Sequence, residues 1–289
     1  KNYAFGNHAL SSNTTGIESC AFGLSSLGSA TTGGYNTAYG RSSGTAITTG
    51  TYNTCIGHRT GDAITTATNN NAFGAGALGS TTTGVSNVAM GSYALQDNTT
   101  AEENVAIGQN ALENNTTASR NTAVGASALA ANTTGAYNTG LGWNAGASHV
   151  TGNYNTAVGY NAAFSSTTVG GEFVLGNNQV ANLRCQDTSI SSLSDERDKT
   201  NIVDIPLGLS FLNTVRPVSF DWDARDGSKI GKKDFGFIAQ ELKVAANATD
   251  YADHMRLVHE DNPDMLEADA MKMFPVLVKA IQELSAKVT

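Results

Sequence analysis

A glycine returns every 17 residues through the first two thirds of the chain: Gly6, Gly23, Gly40, Gly57, Gly74, Gly91, Gly108, Gly125, Gly142, Gly159 and Gly176. Eleven occurrences without one insertion are what a chain needs when each repeat is one turn of a coil stacked on the last, and they exclude folds whose elements vary in length. A large apolar residue stands immediately before each glycine (Phe5, Phe22, Tyr39, Ile56, Phe73, Met90, Ile107, Val124, Leu141, Val158, Leu175). The residue before that is small, usually alanine, until Val174, and Asn lies four before the glycine in nine of the eleven repeats, Ser19 and Glu172 being the exceptions. Successive strand residues face opposite ways, so the large and small columns line two different uncharged surfaces, one inside the coil and one against neighbouring chains. Small residues at a shared axis would let three backbones approach. Asn and Gly suit left-handed corners, stacked Asn can bond in ladders, and a second corner follows each strand where Thr-Thr ends at Gly16, Gly33, Gly50, Ala67, Gly84, Ala101, Ala118 or Gly135. At ~4.8 Å per rung the coil would be a rod about 50 Å long.

The rest of the chain has a different composition. Residues 1–193 hold 27 of the 31 Gly, no Pro and 13 charges; residues 194–289 hold all four Pro and 29 charges. Two physically distinct modules therefore join near residue 190. The net charge of -8 without a basic stripe argues against nucleic acid. No apolar run reaches the ~18–20 residues of a membrane span, so no membrane insertion is expected. Opening at Lys1, the chain reads as part of a longer polypeptide with any export signal upstream. Three cysteines and five histidines (His8, His58, His149, His254, His259) show no metal spacing, so neither metal nor cofactor is expected. Cys20 and Cys55 read as packing atoms in rung columns, the histidines as surface or satisfied groups, and the Asn-Thr-Thr sequons at Asn13, Asn98 and Asn132 as by-products of the repeat. Eight scattered acids in residues 1–193 make a glycosidase carboxylate pair improbable there.

The units Asn121-Thr-Ala-Val-Gly125 and Asn155-Thr-Ala-Val-Gly159, each followed by Ala128 or Ala162, resemble the left-handed parallel β-roll repeats of trimeric adhesin heads and phage tail-fibre shafts. In the second module, Ser194-Asp195-x-Arg197-x-Lys199-x-Asn201-Ile202, Arg216-Pro-Val-Ser-Phe-Asp-Trp222, Gly236-Phe-Ile-Ala-Gln-Glu241 and the final Phe274-to-Leu284 segment occur in the order of the intramolecular chaperone of endosialidase family. That resemblance implies a C-terminal domain that trimerises, directs folding of the shaft ahead of it, and cuts itself off with a Ser-Lys dyad. It assigns Ser194 as nucleophile, Lys199 as general base, Leu193-Ser194 as the bond cut, and Asp195, Arg197 and Asn201 as residues shaping the turn. Asp198 departs from the family pattern, which usually has an apolar residue there, and slower processing is the expected effect.

Spacing alone does not make this site. Five residues apart on one helix, Ser194 and Lys199 would point ~140° away from each other, so they must meet through a turn or across chains. The plain structural alternative has Ser194-Asp195 capping a short helix and Lys199 as a solvated charge. Around them the second module reads as mixed α/β: helices over Pro206–Thr214 and Ala239–Ala246, a strand over Pro217–Trp222, a turn at Asp226-Gly227, a second strand ending near Phe237 and another over Arg256–His259. Phe274, Leu277, Ile281, Leu284 and Val288 follow the 3-4 spacing of a coiled-coil seam, too short to stand alone, with packing on its own domain as the alternative.

The expected architecture is thus mainly β: a 17-residue-repeat parallel β-roll or solenoid shaft over 1–180 in a homotrimer, a linker over 181–193, and a small α/β chaperone domain over 194–289 ending in a short coiled-coil helix. The expected role is the distal part of a viral (phage) tail fibre or spike on the virion, assembled in the host cytoplasm, recognising a host surface receptor or glycan. Any enzymatic activity would be single-turnover serine endopeptidase cleavage of itself, with no external substrate. The alternatives are a bacterial or cellular trimeric adhesin on the cell surface, or the C-terminal part of a glycan-degrading spike whose catalytic domain lies upstream.

Overall fold

The computed structural model describes residues 1–180, 194–225, 229–260 and 266–288. The chain divides into two compact units, Lys1–Val180 and Ala181–Thr289. The expected 181–193 linker with Leu193, and the turn at Asp226-Gly227, lie outside the described residues.

The first unit is a parallel β-solenoid. Eleven three-residue strands run from β1 (Tyr3–Phe5) to β11 (Phe173–Leu175), each hydrogen-bonded to the next in one continuous sheet. Every pairing joins residue i to i+17, as in Ala4↔Ala21 and Ala106↔Ala123. The glycine ending each strand sets the coil. Gly6 through Gly159, in steps of 17, have φ between +123° and +142°, a region that L side chains avoid. A Cβ on Gly108 would lie 2.5 Å from the carbonyl carbon and oxygen of Gly125 on the next rung.

Burial resolves the two uncharged columns in a way the alternation alone did not. The alanines do not line an axis between chains; Ala21, Ala38, Ala72, Ala89, Ala106, Ala123 and Ala157, with Cys55, are buried inside the coil. The large apolar column faces outward, with Phe5 69% exposed and Tyr39, Met90 and Leu141 also exposed. The cause is a third column, unrecognised in the repeat: Leu27, Leu78, Leu95, Leu112 and Leu129 fill the interior opposite the strand. A Cβ built on Gly140 in the alanine column would sit 2.9 Å from Leu129 Cγ, so the space left there is that of a methyl group or less. Each of these leucines has φ near +50°. A left-handed L residue costs roughly 1–2 kcal/mol, which burial of a leucine, about 1.5–3 kcal/mol, offsets.

Where the leucine is absent, another side chain fills its place. Gly44 and Gly61 stand in that column, and a Cβ there would meet Ile47 Cδ1 at 3.0 Å and Ile64 Cδ1 at 2.8 Å respectively. At Gly146 the space is taken by Phe164, whose Cε2 would lie 2.8 Å from such a Cβ.

Polar groups inside the coil pair along its length. Asn36, Asn53, Asn70, Asn87, Asn104, Asn121, Asn138 and Asn155 are buried, and the ladder expected of them is present. Asn87 is typical: its Nδ2 donates to Asn70 Oδ1 at 3.1 Å and to the Ala101 carbonyl at 2.9 Å, while its Oδ1 accepts from Asn104 N at 3.1 Å and Asn104 Nδ2 at 3.2 Å. These asparagines are not the left-handed residues of the corner. That conformation belongs to the residue just before each, such as Tyr35, Tyr52, Ser86 and Arg120, with φ of +58° to +63°. A second ladder joins Asn98, Asn115 and Asn132 at 3.3 and 3.0 Å. Asn98 and Asn132 are thereby buried sequon asparagines, closed to modification once the coil has formed. The first threonine of each corner pair ties its rung to the following one, as where Thr82 Oγ1 donates to the Thr99 carbonyl at 3.3 Å.

Two minor expectations change. Cys55 is buried, and burial pushes its thiol up to about 12, but Cys20 is exposed because it opens its strand on the outer surface. His149 is buried, replacing an asparagine of the second ladder with Nε2 2.8 Å from the Gly152 carbonyl oxygen.

In the second unit, β12 (Val218–Asp221) pairs antiparallel with β13 (Lys233–Gly236), and β14 (Val258–His259) with β15 (Glu267–Ala268). Helices α1 (Leu209–Leu212), α2 (Ala239–Asn247), α3 (Ala252–Met255) and α4 (Phe274–Val288) surround a core of Phe211, Leu242, Ala246, Met255, Leu257, Met273 and Val276. The helix and strand expectations for 206–214, 217–222, 239–246 and 256–259 are met within a few residues; α3 and β15 were not anticipated. Helix α4 packs on its own unit by one face, the alternative reading of its sequence, and leaves the heptad face uncovered. Val276 and Ala280 are buried, and Glu283 accepts a hydrogen bond from Leu209 N at 2.9 Å, capping α1. Phe274, Leu277, Ile281, Leu284 and Val288, the heptad stripe, remain exposed.

Candidate active site

The first described residues of the second unit make a tight turn. Asp195 is extended (φ -70°, ψ 138°) and caps a 3₁₀ turn over Glu196–Asp198, its Oδ1 accepting from Arg197 N at 2.9 Å. A capping acid satisfies a donor that the start of the turn leaves unpaired. The Arg197 guanidinium forks onto the same carboxylate, Nε to Oδ1 at 3.0 Å and an Nη to Oδ2 at 2.6 Å. That hydrogen-bonded arginine holds the Asp195 carboxyl below the usual aspartate value. One 3₁₀ turn advances about three residues per revolution, and the chain leaves it extended at Lys199 (φ -126°, ψ 145°).

The result is a Ser-Lys contact within one chain. Lys199 Nζ lies 2.6 Å from Ser194 Oγ and 2.9 Å from the Ser194 carbonyl oxygen. Of the two routes open from the spacing, the structure takes the turn. The structural alternative is half realised as well: Asp195 is a cap, but Lys199 is directed onto the serine. Asn201 closes the segment with φ +54°, a conformation Asn tolerates better than most residues. Asp198, the residue departing from the family pattern, is exposed, as are Ser194 and Lys199.

Chemically the pair has a nucleophile and a base in hydrogen-bond reach. Among the described residues nothing encloses it, and both side chains are exposed. A lysine serves as base only when desolvation or cationic neighbours favour its neutral form. Leu193, on the other side of the expected scissile bond, is outside the described residues. The heptad residues Phe274, Leu277, Ile281, Leu284 and Val288 are brought onto one exposed stripe. Among the described residues no group of His, Cys, Asp and Glu could hold a metal ion, and no helix is long and apolar enough to cross a membrane.

The sequence named Asp195 and Arg197 as shaping the turn, but not that they pair with each other; an acid at a cap position two before an arginine was the available signal.

Residues 194–253 match the family model described as chaperone of endosialidase. The match begins at Ser194 itself and takes in Lys199, β12, β13 and α2. The family resemblance read from the sequence therefore holds for this segment, beside a first unit that is a β-solenoid. No curated protein and no solved structure matches the chain.

Proposed function

We propose that this chain is the distal shaft of a homotrimeric phage tail fibre or spike that attaches to a host surface, made with a C-terminal folding helper that cuts itself away. A β-solenoid followed by a chaperone-of-endosialidase segment fits a tail-spike-like or fibre-like protein. The trimer reading is supported by two apolar stripes that the single chain leaves in water: the outward strand column of the solenoid and the heptad face of α4. Contiguous exposed apolar surface of this extent marks association. The helper addresses a real difficulty, since strands repeating every 17 residues pair almost as well when one chain slips by a rung against its neighbours.

The observation that carries the self-cleavage reading is the 2.6 Å contact between Lys199 Nζ and Ser194 Oγ. Neutral Lys199 takes the hydroxyl proton as Oγ attacks a carbonyl, and ring size selects which one. Attack on the Ser194 carbonyl would close a strained four-membered ring; attack on the Leu193 carbonyl closes a five-membered one. The Leu193–Ser194 C–N bond breaks, the lysine returns the proton to the departing Ser194 nitrogen, and Leu193 becomes an ester on Oγ. Water then adds to that ester, leaving a Leu193 carboxylate and a free Ser194 hydroxyl and amine. Neighbouring subunits covering the exposed Lys199 would supply the desolvation its base form needs, tying the cut to assembly.

Denaturing electrophoresis with intact-mass measurement tests this. Wild type should yield fragments ending at Leu193 and beginning at Ser194, and Ser194→Ala and Lys199→Ala one uncut chain. Unchanged cleavage in both variants would remove the dyad, and an uncut wild type would leave the folding role alone.

A further inference from the structure

Aromatic side chains of the solenoid stand in columns, and on two neighbouring rungs two columns are aromatic together. Tyr137 precedes and Trp143 follows β9 (Thr139–Leu141); Tyr154 and Tyr160 do the same around β10 (Thr156–Val158). The 17-residue register stacks them, Tyr137 on Tyr154 at 4.9 Å between centroids and Trp143 on Tyr160 at 5.0 Å, with interplanar angles of 10° and 14°. All four are exposed, Trp143 at 50% and Tyr160 at 64%. No other rung has Phe, Tyr or Trp in both columns.

The two stacks end differently. Arg120 closes the free face of Tyr137, its guanidinium carbon 5.6 Å from the ring centroid and an Nη donating to the phenol oxygen at 2.7 Å. On the rung before Trp143 the corresponding residue is Ala126, a methyl group where the next rung has a ring. A flat ring lying on the indole there would take the height that Tyr160 takes on the opposite face. From the rung of Gln109 to that of Tyr160 the Trp143 column and the one beside it offer amides and no charges: Gln109 on the rung beyond Ala126, then Asn144 and Asn161, whose side chains bond each other at 2.6 Å.

We propose that Trp143, backed by Tyr160, is a platform for a neutral saccharide, one hexopyranose ring stacking on the indole over Ala126 with Gln109 and Asn144 meeting its hydroxyls. A pyranose has an apolar C–H face and a polar rim, the combination that an exposed indole edged by amides matches. Anionic sugars would find no cation in the Trp143 and Asn144 columns between the rungs of Gln109 and Tyr160, Arg120 on the other stack being bonded to Tyr137 and Glu103, and would meet a chain of net charge -8. The platform deepens the attachment reading by giving the receptor a chemical class, and its biological use rests on that reading.

The test uses the full chain carrying Trp222→Phe, so that Trp143 is its one tryptophan. Neutral hexose hexamers of gluco, galacto and manno configuration, and a sialic acid oligomer, are titrated against its emission. A saturable change with a neutral hexamer is expected. Affinity from calorimetry should weaken on the order of tenfold in Trp143→Ala and in Ala126→Trp, which fills the open face with a ring, while assembly mass and thermal midpoint stay fixed. No saturable change with any neutral hexamer, equal affinity in both variants, or preference for the anionic oligomer would overturn the platform. Adhesion to bacterial cells, scored in parallel, separates the two ideas. Adhesion that survives Trp143→Ala sinks the platform and leaves attachment standing; hexamer binding without adhesion to any cell sinks attachment and leaves the platform.

Discussion

Replacing Asn87 by alanine tests the internal ladder most directly. The side chain makes four hydrogen bonds, and its loss leaves one buried backbone group without a partner: Asn104 N–H, which donated to Oδ1 at 3.1 Å, whereas the Ala101 carbonyl, which accepted from Nδ2 at 2.9 Å, keeps Asn98 Nδ2 at 3.3 Å. Asn70 Oδ1 keeps the Asn87 backbone N–H at 3.0 Å, and Asn104 Nδ2 keeps the Ala118 carbonyl at 3.0 Å, so neither neighbouring amide is orphaned. An unsatisfied buried group costs about 1–3 kcal/mol, so Asn87→Ala should lose about 1–3 kcal/mol. The exposed Thr83 is the control, its replacement by alanine expected within about 0.5 kcal/mol of wild type. Denaturant midpoints followed by far-ultraviolet circular dichroism, with unfolding rates in case refolding is incomplete, give both numbers on one scale. A loss below about 1 kcal/mol for Asn87→Ala, or equal losses for the two variants, would mean that water enters the coil or that the ladder is incidental to stability.

Gly108→Ala should cost at least as much as a strained-backbone substitution, about 1–3 kcal/mol, because φ is +134° and the new methyl meets the Gly125 carbonyl; its thermal midpoint beside that of Ala126→Ser checks this. In α4, Ile281→Asp on the exposed stripe should abolish trimers while leaving the helper unit folded, whereas Val276→Asp on the buried face should unfold that unit; equal behaviour by light scattering and circular dichroism would refute the two-face assignment. Because Asp195 has a lowered folded-state value, its contribution to the turn is present above the unfolded aspartate value of 3.8 and is lost as pH falls through the lower folded one. Chemical shifts of the Arg197 amide should therefore be flat from pH 8 to 5 and move only in stronger acid. Cys55, pushed up to about 12 by burial, should resist iodoacetamide at pH 8 in the folded protein and react after denaturation, as read by peptide mass mapping.

Much of this fold is visible in the sequence because a strict period leaves few alternatives. Gly at every seventeenth position implied one turn per repeat, and buried Asn at a fixed offset implied a ladder. Which strand face turns inward was not readable, since a three-residue strand says only that neighbours oppose. The answer depended on leucines such as Leu78 and Leu95, whose left-handed backbone no composition rule suggests and which alternate with the Gly–Ile solution at Gly44 and Gly61. The Ser194 and Lys199 pairing was legible as a resemblance only. The geometry that joins them comes from a 3₁₀ turn of three residues, too short for any periodicity to announce. On α4 the seam spacing was plain and packing on its own domain was the alternative, but Val276 and Ala280 lie between seam positions, and nothing in the pattern told which residues would be buried.

The asparagine and glycine columns repeat in phase from strand to strand, and at Gly44 and Gly61 the filling side chain, Ile47 or Ile64, comes from the same rung. The molecule is therefore a ruler with a fixed graduation. Loss or gain of one whole repeat would lengthen or shorten the solenoid by a single step, the 4.7–5.0 Å seen between stacked rings, and rejoin both ladders intact. A deletion that is not a multiple of 17 would leave one rung short and set its glycine out of register with the next at that junction, where a side chain has no room, so the solenoid changes length without a defect only in whole graduations.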